Sequence, residues 1–492
     1  MKKLYVICWI LFALLCACSN SELYTTDVFS IETNPSVQDS LENTTVSIEK
    51  ENSSSGASTD TIPVKIDSSS TKQDSINVKT DSVSIKDSVS VKDSVEVDSS
   101  DFSFTQDSEY PYAGIPRFVI KTENNTEIKD RNTEIPAKLQ IWGEVSAESD
   151  IMELTIRGRG NTSWTDMPKK SYKIEFKHKQ CLLGMPKDKD WALISNYADK
   201  SLLRNYLMYN LSRNFNAFYA PRCEFVELYL NGNYLGVYLL TETIKLGKNR
   251  INYPQKDDSY IVEFDSKYRP DEQYFFSNVL EEKGKAFRIH DPKNASEEAI
   301  DIIKQHVEDF ERKLSEISED GDNNLEQWID IQESIRHFWI QEVSKNIFST
   351  LGTSVYFTWR PGETIKMGPV WDFDIAFGIH SNSTRVNPEG WHINIGYWYG
   401  RLFKDPQYAS MSYEFWKENK TLILNSLNSI DSLTAALEKA AENNFRKWDI
   451  LSDDQYMPYT YINGKSYSSY GEATSDLKTW YKQRIDWIDS QI

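Results

Sequence analysis

Histidine, cysteine and long apolar runs are all scarce in this 492-residue chain, and each scarcity excludes a class of function. The six histidines, at 178, 290, 306, 337, 380 and 392, are scattered, with no two at a metal-ligand spacing such as H-x₃-H. No G-x-S-x-G elbow occurs either, so the chain lacks the nucleophile turn of a serine hydrolase. Basic residues are outnumbered, 55 Lys and Arg against 74 Asp and Glu, which removes the basic face that a nucleic-acid partner requires. The imbalance is uneven: residues 1–108 hold 8 basic and 17 acidic residues, net −9, leaving −10 of the total −19 for the rest.

The longest apolar run at the N-terminus, Leu4 to Cys16, follows Lys2-Lys3 and is too short to span a bilayer comfortably. A basic start and a short apolar core are the pattern of an export signal. Leu15-Cys16-Ala17-Cys18 resembles the lipobox of bacterial lipoproteins, which implies cleavage before Cys18 and lipidation of its thiol. The expectation is a protein of the bacterial cell envelope, held at the outer membrane or cell surface through that lipid alone. With Cys8 and Cys16 leaving in the signal, only Cys181 and Cys223 remain, expected as two buried free thiols, with a single disulfide as the alternative.

Residues 41–100 contain no aromatic residue, and within them runs a near-repeat: DSINVK at 74–79, DSVSIK at 81–86, DSVSVK at 87–92 and DSVEVD at 93–98. Such a segment has little surface to bury against the entropy of ordering. Residues 1–18 therefore read as signal, 19–108 as a disordered tether and 109–492 as the globular domain. Phe118–Lys121, Lys138–Gly143, Met152–Arg157 and Ser171–Phe176 alternate like strands, and Asn231-Gly232 between alternating runs marks a hairpin. Helical spacing appears over Asp199–Leu211, Glu297–Ile317, Asn324–Asn346, Ser412–Leu427, Ser432–Arg446 and Ala473–Ile488. The expectation is α+β and two-lobed, strand-rich over about 109–293 and helical over about 294–492, with a ligand in the cleft.

Gly368-Pro-Val-Trp-Asp-Phe-Asp-Ile-Ala-Phe-Gly378 places Asp372 and Asp374 among aromatics. On an extended strand, residues two apart point the same way, so both carboxylates could face one divalent metal carrying phosphate. A pair set among Trp371, Phe373 and Phe377 must be satisfied by something. In the first lobe, Ile156-Arg-Gly-Arg-Gly-Asn-Thr-Ser-Trp164 is a glycine-rich turn able to bring amides to phosphate oxygens, followed by Lys169, Lys170 and Lys173. Lys170 and Lys173, three apart on a strand, should point to opposite faces.

RGRGNTSW with PKKSYKIEF (157–176), DWALISNYADKSLLRN (190–205), VELYLNGNYLGVYLLTETI (226–244), GPVWDFDIAFG (368–378) and WYGRLFKDP (398–406) together resemble the CotH-type, or spore-coat, kinases. The resemblance implies a divergent protein-kinase-like fold that binds ATP and Mg²⁺ and transfers phosphate to Ser or Thr of extracytoplasmic proteins. It also implies roles. Arg157, Gly160, Asn161 and Ser163 would cover phosphates, Lys170 or Lys173 would contact them, and Glu242 would lie near the nucleotide. Asp372 would take the catalytic metal role of the D-F-G aspartate, with Asp374 beside it. Simpler pairings exist: Glu242 with Arg204 or Lys245, and Arg157 with Glu153.

One departure counts against turnover. Where the family carries a catalytic aspartate and, five residues on, a metal-holding asparagine, this chain has Phe348 and Thr353. No aspartate lies between Asp330 and Asp372. General base catalysis contributes about 10²–10⁴-fold. The alternative is therefore an inactive surface scaffold, or a glycan- or protein-binding module using the 14 Trp and 27 Tyr. Two aspartates acting on a glycosidic bond come last, because residues two apart on one strand give poor opposed geometry.

Overall fold

The computed structural model describes residues 102–492 except Ser103, Gln106, 254–257, Lys267, Pro270, 282–283, 320–322, Leu351, 381–385 and 458–464. The signal, Cys18 and residues 19–101 of the tether lie outside the described residues. From Phe102 to Ile492 the chain forms one compact unit.

Seven strands close into a barrel in the order β1-β2-β3-β4-β5-β7-β6. They are β1 (Arg117–Thr122), β2 (Ile135–Trp142), β3 (Met152–Arg159), β4 (Ser171–Gln180), β5 (Asp188–Ile194), β6 (Cys223–Leu230) and β7 (Asn233–Glu242). Alternate residues fill the interior: Phe118, Ile120, Leu139, Leu154, Ile156, Ile174, Phe176, Trp191, Leu193, Leu228 and Leu240. Asn231 (φ 51°) and Gly232 (φ 80°) make the β6–β7 turn in the left-handed region that a two-residue hairpin demands. Closure comes from parallel pairing of β1 with β6, locked by the buried Arg117–Glu227 ion pair at 3.4 Å. The strand-rich region is thus a closed barrel, in place of the kinase-like strand-rich lobe expected from the resemblance. Closure removes exposed sheet edges.

A second sheet has the order β12-β11-β8-β10-β9, formed by β8 (Tyr260–Phe264), β9 (Tyr274–Ser277), β10 (Lys285–Asp291), β11 (Val355–Trp359) and β12 (Lys366–Met367). It draws strands from both sides of residue 294, because β11 pairs with β8 from Val355↔Phe264 to Trp359↔Tyr260. The helices are α1 (Thr162–Thr165), α2 (Arg204–Asn214), α3 (Glu297–Ser315), α4 (Ile331–Ser344), α5 (Tyr399–Leu402), α6 (Pro406–Glu418), α7 (Lys420–Lys447) and α8 (Tyr470–Asp489). The helices expected at 412–427 and 432–446 are instead divided at Asn419. The serine-rich stretch between them is helical, with the Ser429 and Thr434 hydroxyls donating back to the Ser426 and Ile430 carbonyls. Among the described residues no helix is long and apolar enough to cross a membrane. Cys181 is exposed and Cys223 buried, and neither forms a disulfide, so the expectation of two buried thiols holds for Cys223 alone.

Candidate functional site

The acidic segment is not a strand. Asp372 takes φ +68°, so strand alternation does not bring the two carboxylates together; a left-handed turn does. Its cause lies in the flanking rings. Trp371 stacks on Tyr209 of α2 (5.6 Å, 21°), and Phe373 meets the same ring edge-on (6.1 Å, 76°). With both neighbours committed to one ring, the backbone between them folds over. Three side chains hold it there. Asn205 Oδ1 accepts from Phe373 N–H at 2.8 Å, Asn346 Nδ2 donates to the Asp372 carbonyl at 3.1 Å, and Ser354 Oγ donates to Asp372 Oδ2 at 3.1 Å. Arg204, ion-paired to buried Asp199, donates to the Ala376 carbonyl at 3.0 Å and fixes the segment's far end.

Both carboxylates are partly buried. Burial pushes the Asp374 carboxyl well above the usual range. The charge and hydrogen bond of Asp372 add to the shift, as does the charge of Asp199. Burial and the neighbouring carboxylate thus both disfavour the charged form of Asp374. Two hard oxygen donors suit Mg²⁺, which is commonly bound by one or two carboxylates plus substrate phosphates. Among the described residues, no group of three or more His, Cys, Asp or Glu side chains is placed to hold a metal by itself.

The glycine-rich turn ends β3. Leu154 and Ile156 point into the barrel, so Arg157 and Arg159 point out. Arg157 donates to the Arg131 carbonyl at 2.6 Å and lies 3.6 Å from Glu134, not Glu153. Gly160 (φ +91°) lies so close to Ser163 that a Cβ there would sit 1.9 Å from Ser163 Oγ. One at Gly158 would sit 2.6 Å from the Trp164 ring. Arg131 anchors the turn from outside, donating to the Gly160 carbonyl (2.8 Å) and Asn161 Oδ1 (2.9 Å). The expected lysines are occupied. Lys170 donates to the Trp164 carbonyl at 2.5 Å, and Lys173, on the outer face, pairs with Asp190 (2.7 Å) and Glu175 (2.9 Å). Lys169 is buried against the Val237 carbonyl (2.5 Å) and Asn444 Oδ1 (2.8 Å), and burial holds its amine well below its usual pKa.

Glu242 is buried between Arg250 (2.8 Å) and Arg222 (3.1 Å), with the Tyr219 hydroxyl donating at 3.0 Å. Neither Arg204 nor Lys245 is its partner. Phe348 follows α4 in a partly buried turn, its N–H donating to Asn346 Oδ1 at 3.2 Å, and the Thr353 hydroxyl approaches Asp265 Oδ1 at 3.5 Å.

The residue that does face the acidic pair from the barrel is Arg159, which lies within the expected Arg157–Ser163 turn but was not singled out there. Its guanidinium lies 5.1 Å from the Trp371 ring centre. Among the described residues it makes no ion pair. Burial lowers its pKa, against the opposing pull of Tyr209, Tyr356 and Asp372. The available signal was parity, since Arg159 shares the outer face with Arg157 and stands nearer the turn. Ser354 and Asn346 carried no comparable signal.

An arginine over the Trp371 ring that makes no ion pair among the described residues, beside two adjacent carboxylates, is an arrangement suited to an anion carrying a divalent cation. A sequence model described as CotH kinase protein matches residues 156–488, two thirds of the chain. The chain belongs to the CotH kinase family. The match begins inside β3, two residues before the glycine at 158, and runs through the acidic segment almost to the end of α8. No individually curated protein matches this CotH-family chain at a significant level.

Proposed function

We propose that this CotH-family protein is an exported, lipid-anchored phosphotransferase of the cell envelope, attached through Cys18, that binds ATP and Mg²⁺ and acts on Ser or Thr of extracytoplasmic proteins. In this reading the barrel serves as the nucleotide-covering lobe of a divergent kinase. The supporting observation is the Asp372/Asp374 pair set beside Arg159 on the Trp371 ring. Asp372 and Asp374 would hold Mg²⁺, which neutralises phosphate charge when bound. Arg159 and the Gly158–Ser163 turn would orient the phosphates. Phosphoryl transfer depends mainly on positioning and electrostatics, which tempers the loss of a base at Phe348.

Thermal unfolding with and without ATP and Mg²⁺ tests binding. Ligand at about 100 times Kd stabilises by about 2.7 kcal/mol. The wild type should shift upward and Asp372→Ala should not; an unshifted wild type ends this reading. Phe348 favours one competing reading, a binding module that holds nucleotide without turnover. Radiolabel from ATP entering protein with wild type, and not with Asp372→Ala, decides against it.

A further inference from the structure

Acidic residues outnumber basic ones along the chain, yet one end of the barrel reverses the sign. The β4–β5 hairpin carries four lysines against two aspartates between Lys177 and Asp190, whereas residues 109–492 together carry a net charge of −10. Both aspartates are already matched. Asp188 is buried, accepts from the Lys189 and Asp190 N–H groups at 2.7 and 3.2 Å and lies 3.4 Å from Lys245, while Asp190 is held by Lys173 and Lys245. The hairpin lysines are left facing out. Lys177, Lys179, Lys187 and Lys189 are exposed, as is Lys248 on the loop after β7. Among the described residues only Lys177 of these five makes an ion pair, with Glu153 at 2.7 Å.

These cations stand on a fixed turn. Leu182 and Met185 are buried in the barrel core with Leu183 packed against it, and the Asn249 amide donates to the Lys187 carbonyl at 2.8 Å, which ties the loop of Lys248 to the hairpin. Their positive field is not cancelled by the neighbouring β2–β3 loop. Its Glu148 and Glu144 lie toward Tyr112, whose phenol is raised by burial, then by Glu148 and, against Arg117, by Glu144; Tyr112 itself lies 5.2 Å from Arg117, on the β1 side.

The acidic pair and the glycine-rich turn do not use this surface. Arg159 pairs with Ser171 at the start of β4, and Lys179 comes eight residues later on that strand. At ~3.4 Å per residue the two are up to ~27 Å apart. Phosphate held at the turn therefore leaves the hairpin lysines untouched.

We propose that the β4–β5 end of the barrel docks on an anionic membrane surface, its exposed lysines against lipid phosphates. A small soluble anion meets one or two cations on the outside of a hairpin, whereas a charged plane meets them together. Each lysine close to such a surface strengthens binding about fivefold, and the effect fades within a Debye length. The inference stands apart from the phosphotransferase reading, because it needs neither Arg159 nor Asp372. Docked by this end, the barrel turns its glycine-rich turn away from the bilayer.

The test is sedimentation of the full chain carrying Cys18→Ser, which removes the thiol expected to carry lipid, with phosphatidylglycerol or phosphatidylcholine vesicles. The apolar run from Leu4 to Cys16 meets both vesicle types alike, so the ratio of the two affinities is the readout. Phosphatidylglycerol is expected to be preferred by about a hundredfold or more in 0.1 M salt, and the preference to vanish in 1 M salt. Lys179→Gln, Lys187→Gln and Lys189→Gln together should cut that preference about a hundredfold, with the unfolding temperature unchanged. A matched triple at Lys417, Lys439 and Lys447, exposed on α6 and α7, should change it by about twofold or less. Equal losses from the two triples would reduce the preference to net charge and overturn the inference. Equal affinity for the two vesicle types would overturn it as well, as would an affinity for duplex DNA, at equal phosphate concentration, that matches the affinity for phosphatidylglycerol.

Discussion

Arg159 and Lys173 leave the same outer surface of the barrel on paired strands and meet opposite electrostatic surroundings. Lys173 stands between Glu175 and Asp190, and Asp190 is shared with Lys245. Burial alone would raise the Asp190 carboxyl, but the two lysines outweigh it and hold it at about 2. Arg159 has an aromatic face beneath it and the acidic pair nearby. A cation already matched by carboxylates has little field left for a phosphate; one without an ion-pair partner keeps its field. Under the proposed function, this difference would put anion binding at the end of β3 and leave a structural role to the middle of β4.

Glu242 offers the largest perturbation. Its carboxylate lies between two arginines, of which Arg250 is itself fully buried. Removing one partner of such a group leaves uncompensated charge and costs about 3–5 kcal/mol. Glu242→Ala should therefore lower the denaturant midpoint strongly, while ATP affinity of the remaining folded protein stays within about twofold. A large loss of affinity at preserved stability would move Glu242 to the binding side of the comparison.

The next largest effect belongs to Glu263, whose Oε1 accepts from Ser354 N–H at 3.2 Å. Burial would raise its pKa, but His290 and Arg288 outweigh that and hold the carboxyl at about 2. The folded value lies below an unfolded one of about 4.3. Its contribution is therefore complete above about pH 4.3 and lost as pH falls toward 2. At 1.36 kcal/mol per pKa unit this is about 3 kcal/mol. Denaturant midpoints measured from pH 5 to 2 should fall along this slope in wild type, and Glu263→Gln should flatten it.

These two carboxylates also mark how far sequence carries. The barrel strands were visible from alternation, and the β6–β7 turn from Asn231-Gly232. Closure was not, because it depends on β1 meeting β6 through Arg117 and Glu227, 110 positions apart. The acidic pair was visible as a pair, yet its shape was misread. Alternation assumes an extended backbone, and the turn at Asp372 is imposed by Tyr209 and Asn205, more than 160 positions earlier. The basic strand was legible as basic. Which cation stays unpaired was not, since Asp190 and Lys245, which neutralise Lys173, come from β5 and the loop after β7.

Arg159 and Lys173 can be compared directly. A hydrogen bond to a charged group contributes about 1.5–3 kcal/mol, a factor of ~10–150 in affinity. Arg159→Ala should weaken ATP binding by that amount with Mg²⁺ present. Lys173→Ala should leave affinity within about twofold and cost about 1 kcal/mol of stability, because Lys245 still pairs with Asp190. Titration calorimetry on the two variants separates them, and equal losses would dissolve the distinction.

The smallest expected effect tests whether the turn at Asp372 is held from the second sheet as well as from α2. Ser354, itself left-handed at φ +55°, spends its hydroxyl on Asp372 Oδ2 and its N–H on Glu263. Ser354→Ala removes one hydrogen bond, about 1 kcal/mol, and leaves the Asn205 and Asn346 contacts in place. ATP binding without metal should be unaffected, because Arg159 and the glycine-rich turn do not touch Ser354. Mg²⁺-dependent enhancement of that binding should fall about fivefold, because only the carboxylate loses its support. Ser354→Thr keeps the hydroxyl and should restore most of the enhancement, whereas a merely structural role would leave the ratio of the two affinities unchanged in both variants.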